Sequence, residues 1–332
     1  DPDLIERTID SLILSHEIAA QILPGDDDED VVALYLPSTY RAESEVARRL
    51  REMIDAMPDT MATDLSAQID ELERVEGIAF HAQQRQAIET AVTSGMTVIT
   101  GGPGTGKTTI IKCIIKLLSV HGDIALAAPT GRAAKRMSEA CGMEAKTLHR
   151  LLEYGGEEGD FARTQDNPLE YDALIIDEMS MVDIFLMRSL LRALVPGTRL
   201  IMVGDADQLP SVGAGNVLRD ILDSGAIPSV RLTEIFRQDE KSMIVYNAHR
   251  INRGEAPRLN AKGSDFFFER AVSPSDAAKR IVALCASRLP SFLHLDPVRQ
   301  MQVLSPTKKG ECGVWMLNQL LQAEFNPAAP GK

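Results

Sequence analysis

Residues 96–109 read Met-Thr-Val-Ile-Thr-Gly-Gly-Pro-Gly-Thr-Gly-Lys-Thr-Thr: an apolar β-type run, a turn crowded with glycine, then the start of an Ile-rich stretch. A strand, a GxxxxGK[ST] loop and a helix in immediate succession form the context in which that motif has a mechanism. The loop wraps a phosphate with its backbone N–H groups, and a Cβ there would block the approach or forbid the positive φ angles required. The N-terminus of the following helix adds partial positive charge. Gly102, Pro103, Gly104, Thr105, Gly106, Lys107, Thr108 and Thr109 are therefore expected to hold a nucleotide. Within that set Lys107 should reach the β- and γ-phosphates, and Thr108 should ligate Mg²⁺.

Working outward, Leu174-Ile175-Ile176-Asp177-Glu178 is an apolar run ending in two carboxylates. Asp177 at a strand tip can hold the Mg²⁺ shell, while Glu178 beside it takes a proton from, or orients, the attacking water. ATP or GTP hydrolysis is the chemistry this pair implies. A third polar cluster, Gly204-Asp205-Ala206-Asp207-Gln208, again follows an apolar run, and Gln208 is the candidate γ-phosphate sensor. In a parallel sheet the carboxyl ends of the strands form the ligand edge, so these clusters should lie together. Upstream, Gln83-Gln84-Arg85-Gln86 offers an amide for an adenine edge, though a helical surface glutamine reads the same way.

From Phe80 onward apolar runs alternate with turns and amphipathic stretches, which implies parallel α/β structure. Strands are expected at 96–100, 124–128, 173–177, 200–204 and 229–232, with helices over 107–120, 130–140 and 182–194 between them. Residues 1–76 read as a small, mainly helical module. Ile5, Ile9, Leu12 and Ile13 lie at helical spacing, Val31–Leu36 is β-type, and Val46, Leu50, Met53 and Met57 mark a helix that Ser38 caps. Residues 77–230 form the nucleotide domain, with an insertion at 153–171. Residues 231–332 begin a further domain, with helices over 242–253, 275–287 and 313–325 and strands at 266–269 and 302–305.

Composition bounds the function. The 332 residues carry a net charge of −13, against a uniformly basic nucleic-acid coat but not against a local basic groove. Hydrophobic residues make up 44% and charged residues 25%, which excludes disorder as the main state. No run is long and apolar enough for a membrane span and no basic leader opens the sequence, so a cytoplasmic protein is expected. Cys113, Cys141, Cys285 and Cys312 lack metal-ligand or CxxC spacing and read as reduced thiols.

Taken in order, GGPGTGKTT at 101–109, APTGRAAKRM at 128–137, TLHRLL at 147–152, IIDEMSMVD at 175–183, VGDADQLPSVGAGNVLRD at 203–220 and LTEIFRQ at 232–238 resemble the motifs of superfamily 1 helicases. The likeness is greatest to the RecD/TraA-type (RecD-like) DNA helicases of the 5′-to-3′ branch, superfamily 1B, and to their stand-alone type. VLSPTKKGECGVWMLNQLLQ at 303–322 looks like a segment of that family's second motor domain.

The resemblance implies two RecA-like domains with ATP between them, the second only partial here because the family's last motifs and its inserted β-barrel are missing. It implies an ATP- and Mg²⁺-dependent DNA helicase acting in repair or recombination, with single-stranded DNA or DNA bearing a 5′ overhang as partner and a monomeric state. Gln84 becomes the family's adenine-contacting glutamine. Pro129, Thr130 and Arg132 become DNA contacts through a hydroxyl, helix-start N–H groups and a guanidinium. Thr147 and His149 add contacts to backbone or base. For Arg132 a surface salt bridge, and for His149 packing or capping, stay open. Arg237 becomes an arginine finger reaching across the cleft, with an interdomain ion pair as the other reading. The 153–171 insertion occupies the place of a strand-splitting pin, and equally that of a plain connector. Two other functions stay open: a RecD-type subunit of a multi-subunit recombination exonuclease, and a phosphate-loop ATPase working on RNA or protein. Stimulation by single-stranded DNA, single-stranded RNA or neither separates them.

Overall fold

The computed structural model describes residues 1–25, 30–56, 64–155, 160–234, 242–260 and 263–327, and these divide into two compact units, Asp1–Glu240 and Lys241–Lys332. The first begins with α1 (Pro2–Leu14), the antiparallel hairpin β1 (Ala19–Pro24) and β2 (Asp30–Tyr35), α2 (Pro37–Ala56), α3 (Leu65–Glu76) and α4 (Ala82–Thr93). It continues through β3 (Met96–Gly101), α5 (Lys107–Leu118), β4 (Ile124–Ala128), α6 (Gly131–Cys141), β5 (Ala145–Thr147), α7 (Leu148–Leu151) and β6 (Ala173–Ile176). It closes with α8 (Ile184–Ala193), β7 (Arg199–Gly204), α9 (Val217–Ser224) and β8 (Ser229–Leu232).

The strands β3 to β8 form one parallel sheet in the order β5-β4-β6-β7-β3-β8, the RecA-like arrangement of a phosphate-loop domain. The strands β3, β4 and β6 are buried throughout, as continuous Val/Ile/Ala runs covered on both faces require. Alternate residues supply two cores. Val98, Leu174, Ile176 and Met202 face one side, while Ile99, Ile175, Ile201 and Val203 face the other.

The two cores correct the expectation of a separate module over 1–76. On α2, Ala42, Val46, Leu50 and Met53 sit at i, i+4, i+8 and i+11, and this stripe is buried in the same core as Leu174 and the α8 residues Met187 and Leu190. The α3 residues Leu65 and Ile69 are buried in the opposite core beside Ile88, Ile110 and Ile114. At about 1.5–3 kcal/mol for each buried Leu, Ile, Val or Met side chain, detaching either helix would be costly. By contrast, α1 has no buried residue, and among the described residues of 1–76 α1 and the β1–β2 hairpin contribute nothing to either core.

Three further differences have local causes. The short strand β5 and helix α9 were not expected: β5 spans three residues, too few to show a period, and pairs with β4 only at the end of the sheet. A boundary at 230/231 would cut β8, whose Val98↔Ser229 to Gly101↔Leu232 pairing with β3 keeps it in the first unit. In the second unit, α10 (Met243–Asn252), α11 (Pro274–Ala283), α12 (Leu289–Leu293) and α13 (Val314–Phe325) form, but the runs 266–269 and 302–305 are not strands. An extended run becomes a strand only when a neighbour completes its ladder, and these two are not hydrogen-bonded as a pair. Among the described residues no helix is long and apolar enough to cross a membrane, and the four cysteines are free thiols, Cys113 and Cys285 buried.

Candidate nucleotide site and nucleic-acid interface

The phosphate loop, the motifs that follow Ala128 and Thr147, the Asp177-Glu178 pair and the Asp205–Gln208 cluster all stand at the carboxyl edge of this sheet. Gly101 closes β3, Ala128 closes β4, Thr147 closes β5, Ile176 closes β6 and Gly204 closes β7. The strand β7 stands between β3 and β6, so the phosphate loop and the Asp177-Glu178 pair face one another across one strand width. They line a single cavity of about 610 Å³ together with residues of α6.

The loop is built for a close backbone approach. Gly104 and Gly106 adopt φ of 82° and 85°, the left-handed region that glycine enters without penalty. A Cβ on Gly101 would lie 2.8 Å from the Leu232 Cβ and 2.9 Å from the Thr105 hydroxyl. Thr105 is buried and donates its hydroxyl to the Gly102 carbonyl at 2.9 Å, bracing the turn from inside. The Lys107 ammonium donates to the carbonyls of Gly101 and Gly102, the latter at 3.0 Å. Thr108 and Thr109 stand exposed at the start of α5.

Gln84 is placed differently from the expectation. It is 6% exposed, its Nε2 donates to the Thr105 carbonyl at 3.0 Å and its Oε1 accepts the His81 N–H at 3.0 Å. Both ends of the amide are thus spent on α4 capping and on the phosphate loop, which makes Gln84 a brace of the loop in this structure. Gln83 Oε1 accepts from the Thr233 N–H at 2.9 Å and tethers the residue after β8.

Asp177 and Glu178 both carry carboxyls held above the usual carboxylate range. For Asp177 burial is the main cause, partly offset by the Glu178 N–H that it accepts at 2.9 Å and by the Lys107 charge. For Glu178 burial again leads, followed by the negative charge of Asp177, with Lys107 opposing. Glu178 has φ 58° and ψ 40°, a left-handed conformation that costs a non-glycine residue of the order of 1 kcal/mol. Such strain is kept where the surroundings hold a side chain in a needed position.

Gln208 does not line this cavity. Its Nε2 donates to Asp205 Oδ2 at 3.2 Å, and Asp205 is 3% exposed at the end of β7. The residue that sequence reading missed is Arg136, one turn beyond Arg132 on α6, which lines the cavity opposite the loop and whose charge acts on Glu178. Its signals were its place within APTGRAAKRM at 128–137 and the i, i+4 relation to Arg132.

Of the expected DNA contacts, Thr130 caps α6, its Oγ1 accepting the Ala133 N–H at 3.2 Å, and Thr147 caps α7 by accepting the Arg150 N–H at 3.2 Å. Each hydroxyl already serves a helix end. Arg132 is exposed, and Pro129 is half-buried in the turn before the cap. His149 is exposed and packs edge-on against Tyr154 at 5.5 Å between ring centroids, and against Phe161 at 5.7 Å. Tyr154 and Phe161 face each other at 5.1 Å and form an antiparallel bridge, so the two limbs of the insertion meet at an aromatic trio. Arg237 lies outside the described residues.

The cavity fits a nucleotide with its cation. The glycine cradle excludes side chains, Lys107 supplies positive charge, and the Thr108 hydroxyl and Asp177 carboxylate are oxygen donors of the kind Mg²⁺ takes. Among the described residues no group of three or more His, Cys, Asp or Glu could hold a metal. Mg²⁺ needs only one or two protein oxygens when substrate phosphates complete its shell.

Residues 84–214 match a family model described as an AAA domain. The chain is 36% identical over 299 residues to the ATP-dependent RecD2 DNA helicase of Deinococcus radiodurans, covering 90% of this chain and 39% of that protein. It is 33% identical over 300 residues to the RecBCD enzyme subunit RecD of Mycolicibacterium smegmatis, covering 81% of this chain and 48% of that one. The chain therefore spans less than half the length of either curated relative. The crystal structure of the Pif1 helicase from Candida albicans aligns with a TM-score of 0.44 at 24% identity, over 65% of this chain and 55% of that chain.

Proposed function

We propose that the chain, whose sequence is similar to RecD-type helicases, is the ATP-hydrolysing motor part of a superfamily 1B DNA helicase that moves 5′-to-3′ on single-stranded DNA. The observation that carries this reading is the single cavity joining the phosphate loop to Asp177 and Glu178. The unit Asp1–Glu240, with α2 and α3 as part of its two cores, then corresponds to the first motor domain, 153–171 to its hairpin insertion and Lys241–Lys332 to part of the second.

In this reading the N–H groups of 104–108 and the α5 N-terminus receive the β-phosphate, and Lys107 exchanges its bonds to Gly101 and Gly102 for phosphate oxygens. Thr108 and Asp177 would hold Mg²⁺, which would supply charge neutralisation for the nucleotide's phosphates when bound. Glu178 accepts the proton of the attacking water, and its raised proton affinity brings its base strength nearer the working pH. Arg136 contributes positive charge at the γ-phosphate side, and Gln208, tied to Asp205, transmits rather than makes a phosphate contact. Arg237 supplies the arginine finger, a role that rests on the LTEIFRQ motif. Arg132, with Pro129, Thr130, Thr147 and His149, forms the DNA-facing rim. DNA binding is sequence-tolerant and weakens with salt, because the contacts are to phosphates.

The deciding experiment measures ATPase rate with single-stranded DNA, single-stranded RNA and no nucleic acid. Stimulation by DNA alone supports the reading, and equal rates in all three overturn it. A second reading, a RecD-type subunit within a larger recombination nuclease, is favoured by the name of the Mycolicibacterium relative, and co-purifying subunits would reveal it.

A further inference from the structure

Beside the hairpin lies a second cavity of about 220 Å³, which shares no lining residue with the nucleotide pocket. Arg163 and Thr164 of the insertion form one wall, Arg188, Ser189 and Arg192 of α8 the other, and Asp160 is its one lining carboxylate. Three guanidiniums around so small a space is a local inversion in a chain of net charge −13.

Their pairing is incomplete in a specific way. Arg163 donates through Nη2 to Glu153 at 2.8 Å and through Nη1 to the Pro168 carbonyl at 3.2 Å, yet its Nε is buried without a hydrogen-bond partner. Arg192 pairs with Glu45 through Nε at 3.0 Å. Arg188 stacks over the Phe185 ring at 5.6 Å, its buried Nε also lacks a partner, and among the described residues it forms no ion pair. Asp160 pairs with none of the three within 4.0 Å among the described residues. Arg163 of the insertion and Arg188 of α8, which line one cavity, thus each keep a buried Nε–H without a protein partner, and a buried donor is normally matched by a partner. A phosphate has the charge and the several acceptor oxygens that two or three guanidinium forks match, whereas a water supplies no charge.

We infer that Arg163, Arg188 and Arg192 form a phosphate-binding pocket, distinct from the nucleotide loop, that holds one phosphate oxyanion against the base of the hairpin. Its source is either a nucleic-acid backbone or a free phosphate. The backbone assignment rests on the DNA-motor reading, because a duplex that meets the hairpin at Tyr154 and Phe161 brings its backbone alongside. Asp160 opposes the anion, so the pocket's affinity is set by the balance between that carboxylate and Arg188.

The test uses the whole chain, with Arg188→Gln and Asp160→Asn, in two arms. Fluorescence anisotropy with a 5′-tailed fork reads DNA affinity between about 50 and 200 mM salt, and NMR of arginine Nε–H groups reads titration with inorganic phosphate. Arg188→Gln should weaken fork binding about ten-fold and reduce the slope of log affinity against log salt by about one, while Asp160→Asn should tighten it. Phosphate should shift the Arg163 and Arg188 Nε–H resonances of the wild-type chain. If those resonances move but fork affinity is the same in Arg188→Gln, the pocket stands and its ligand is free phosphate. If the wild-type chain binds no DNA yet the resonances move, the motor reading fails and the pocket survives. Unmoved resonances together with unchanged fork affinity in a folded Arg188→Gln chain overturn the inference. Should that variant not fold, Arg192→Gln carries the same comparison.

Discussion

Gln84 reaches from α4 to donate its side-chain amide to the Thr105 carbonyl at 3.0 Å, while its other end accepts the His81 N–H, so a buried helix residue holds the phosphate loop from below. Removing the donor leaves a buried carbonyl without a partner, at about 1–3 kcal/mol. Gln84→Ala should lower the melting temperature and weaken nucleotide binding together. A variant that loses nucleotide affinity with unchanged thermal stability would return Gln84 to direct contact with the base.

Lys107→Ala and Glu178→Gln should fail differently. The first removes positive charge from the loop and should reduce ATP affinity. The second keeps the shape of a residue that acts on water, and should leave Mg-ATP binding nearly intact while suppressing turnover. Equilibrium binding of a fluorescent ATP analogue beside steady-state hydrolysis separates the two, and equal loss of affinity in both would contradict the assignment.

The raised carboxyls of Asp177 and Glu178 make stability fall as pH rises. Burial, the leading cause for both, makes the folded chain bind protons more tightly than the unfolded one. The native state then holds more protons between the ordinary carboxylate range and the raised native values, and stability is lost as pH climbs through that window. Below the window, under about pH 4, the penalty is absent. Asp177→Asn and Glu178→Gln should each raise the melting temperature near neutrality, with the gain vanishing in acid. A gain that persists unchanged at low pH would assign the stabilisation to something other than these charges.

Met53 on α2 is 2% exposed, packed within the core that covers one face of the sheet, while Leu4 on α1 is 64% exposed. Met53→Ala should cost about 2–5 kcal/mol in denaturant unfolding. Leu4→Ala should stay within about 0.5 kcal/mol. Similar costs at both sites would restore a separate N-terminal module.

The ring trio of His149, Tyr154 and Phe161 joins the insertion to α7. Replacing Tyr154 and Phe161 together by Ala should speed amide exchange over 152–164 and leave basal ATPase unchanged, because none of the three lines the nucleotide cavity. Unaltered exchange in the double variant would mean that the backbone bonds of the insertion, such as Ala162 N–H to the Glu153 carbonyl at 3.3 Å, hold it without the rings.

What the sequence determined alone was whatever depends on neighbours along the chain. The 96–109 strand, loop and helix, the Asp177-Glu178 pair at a strand tip and the strands at 124–128 and 229–232 are encoded in runs of a few residues. Their period and turn chemistry need no distant partner. The tertiary structure alone decided the rest. It turned Gln84 inward to Thr105, brought Arg136 to the nucleotide cavity and drew α2 and α3 into the two cores. It also left 266–269 and 302–305 unpaired, and set Arg163 beside Arg188. Each of these outcomes depends on strand order and helix packing between residues far apart in sequence, and residue spacing carries no record of which element will lie beside which.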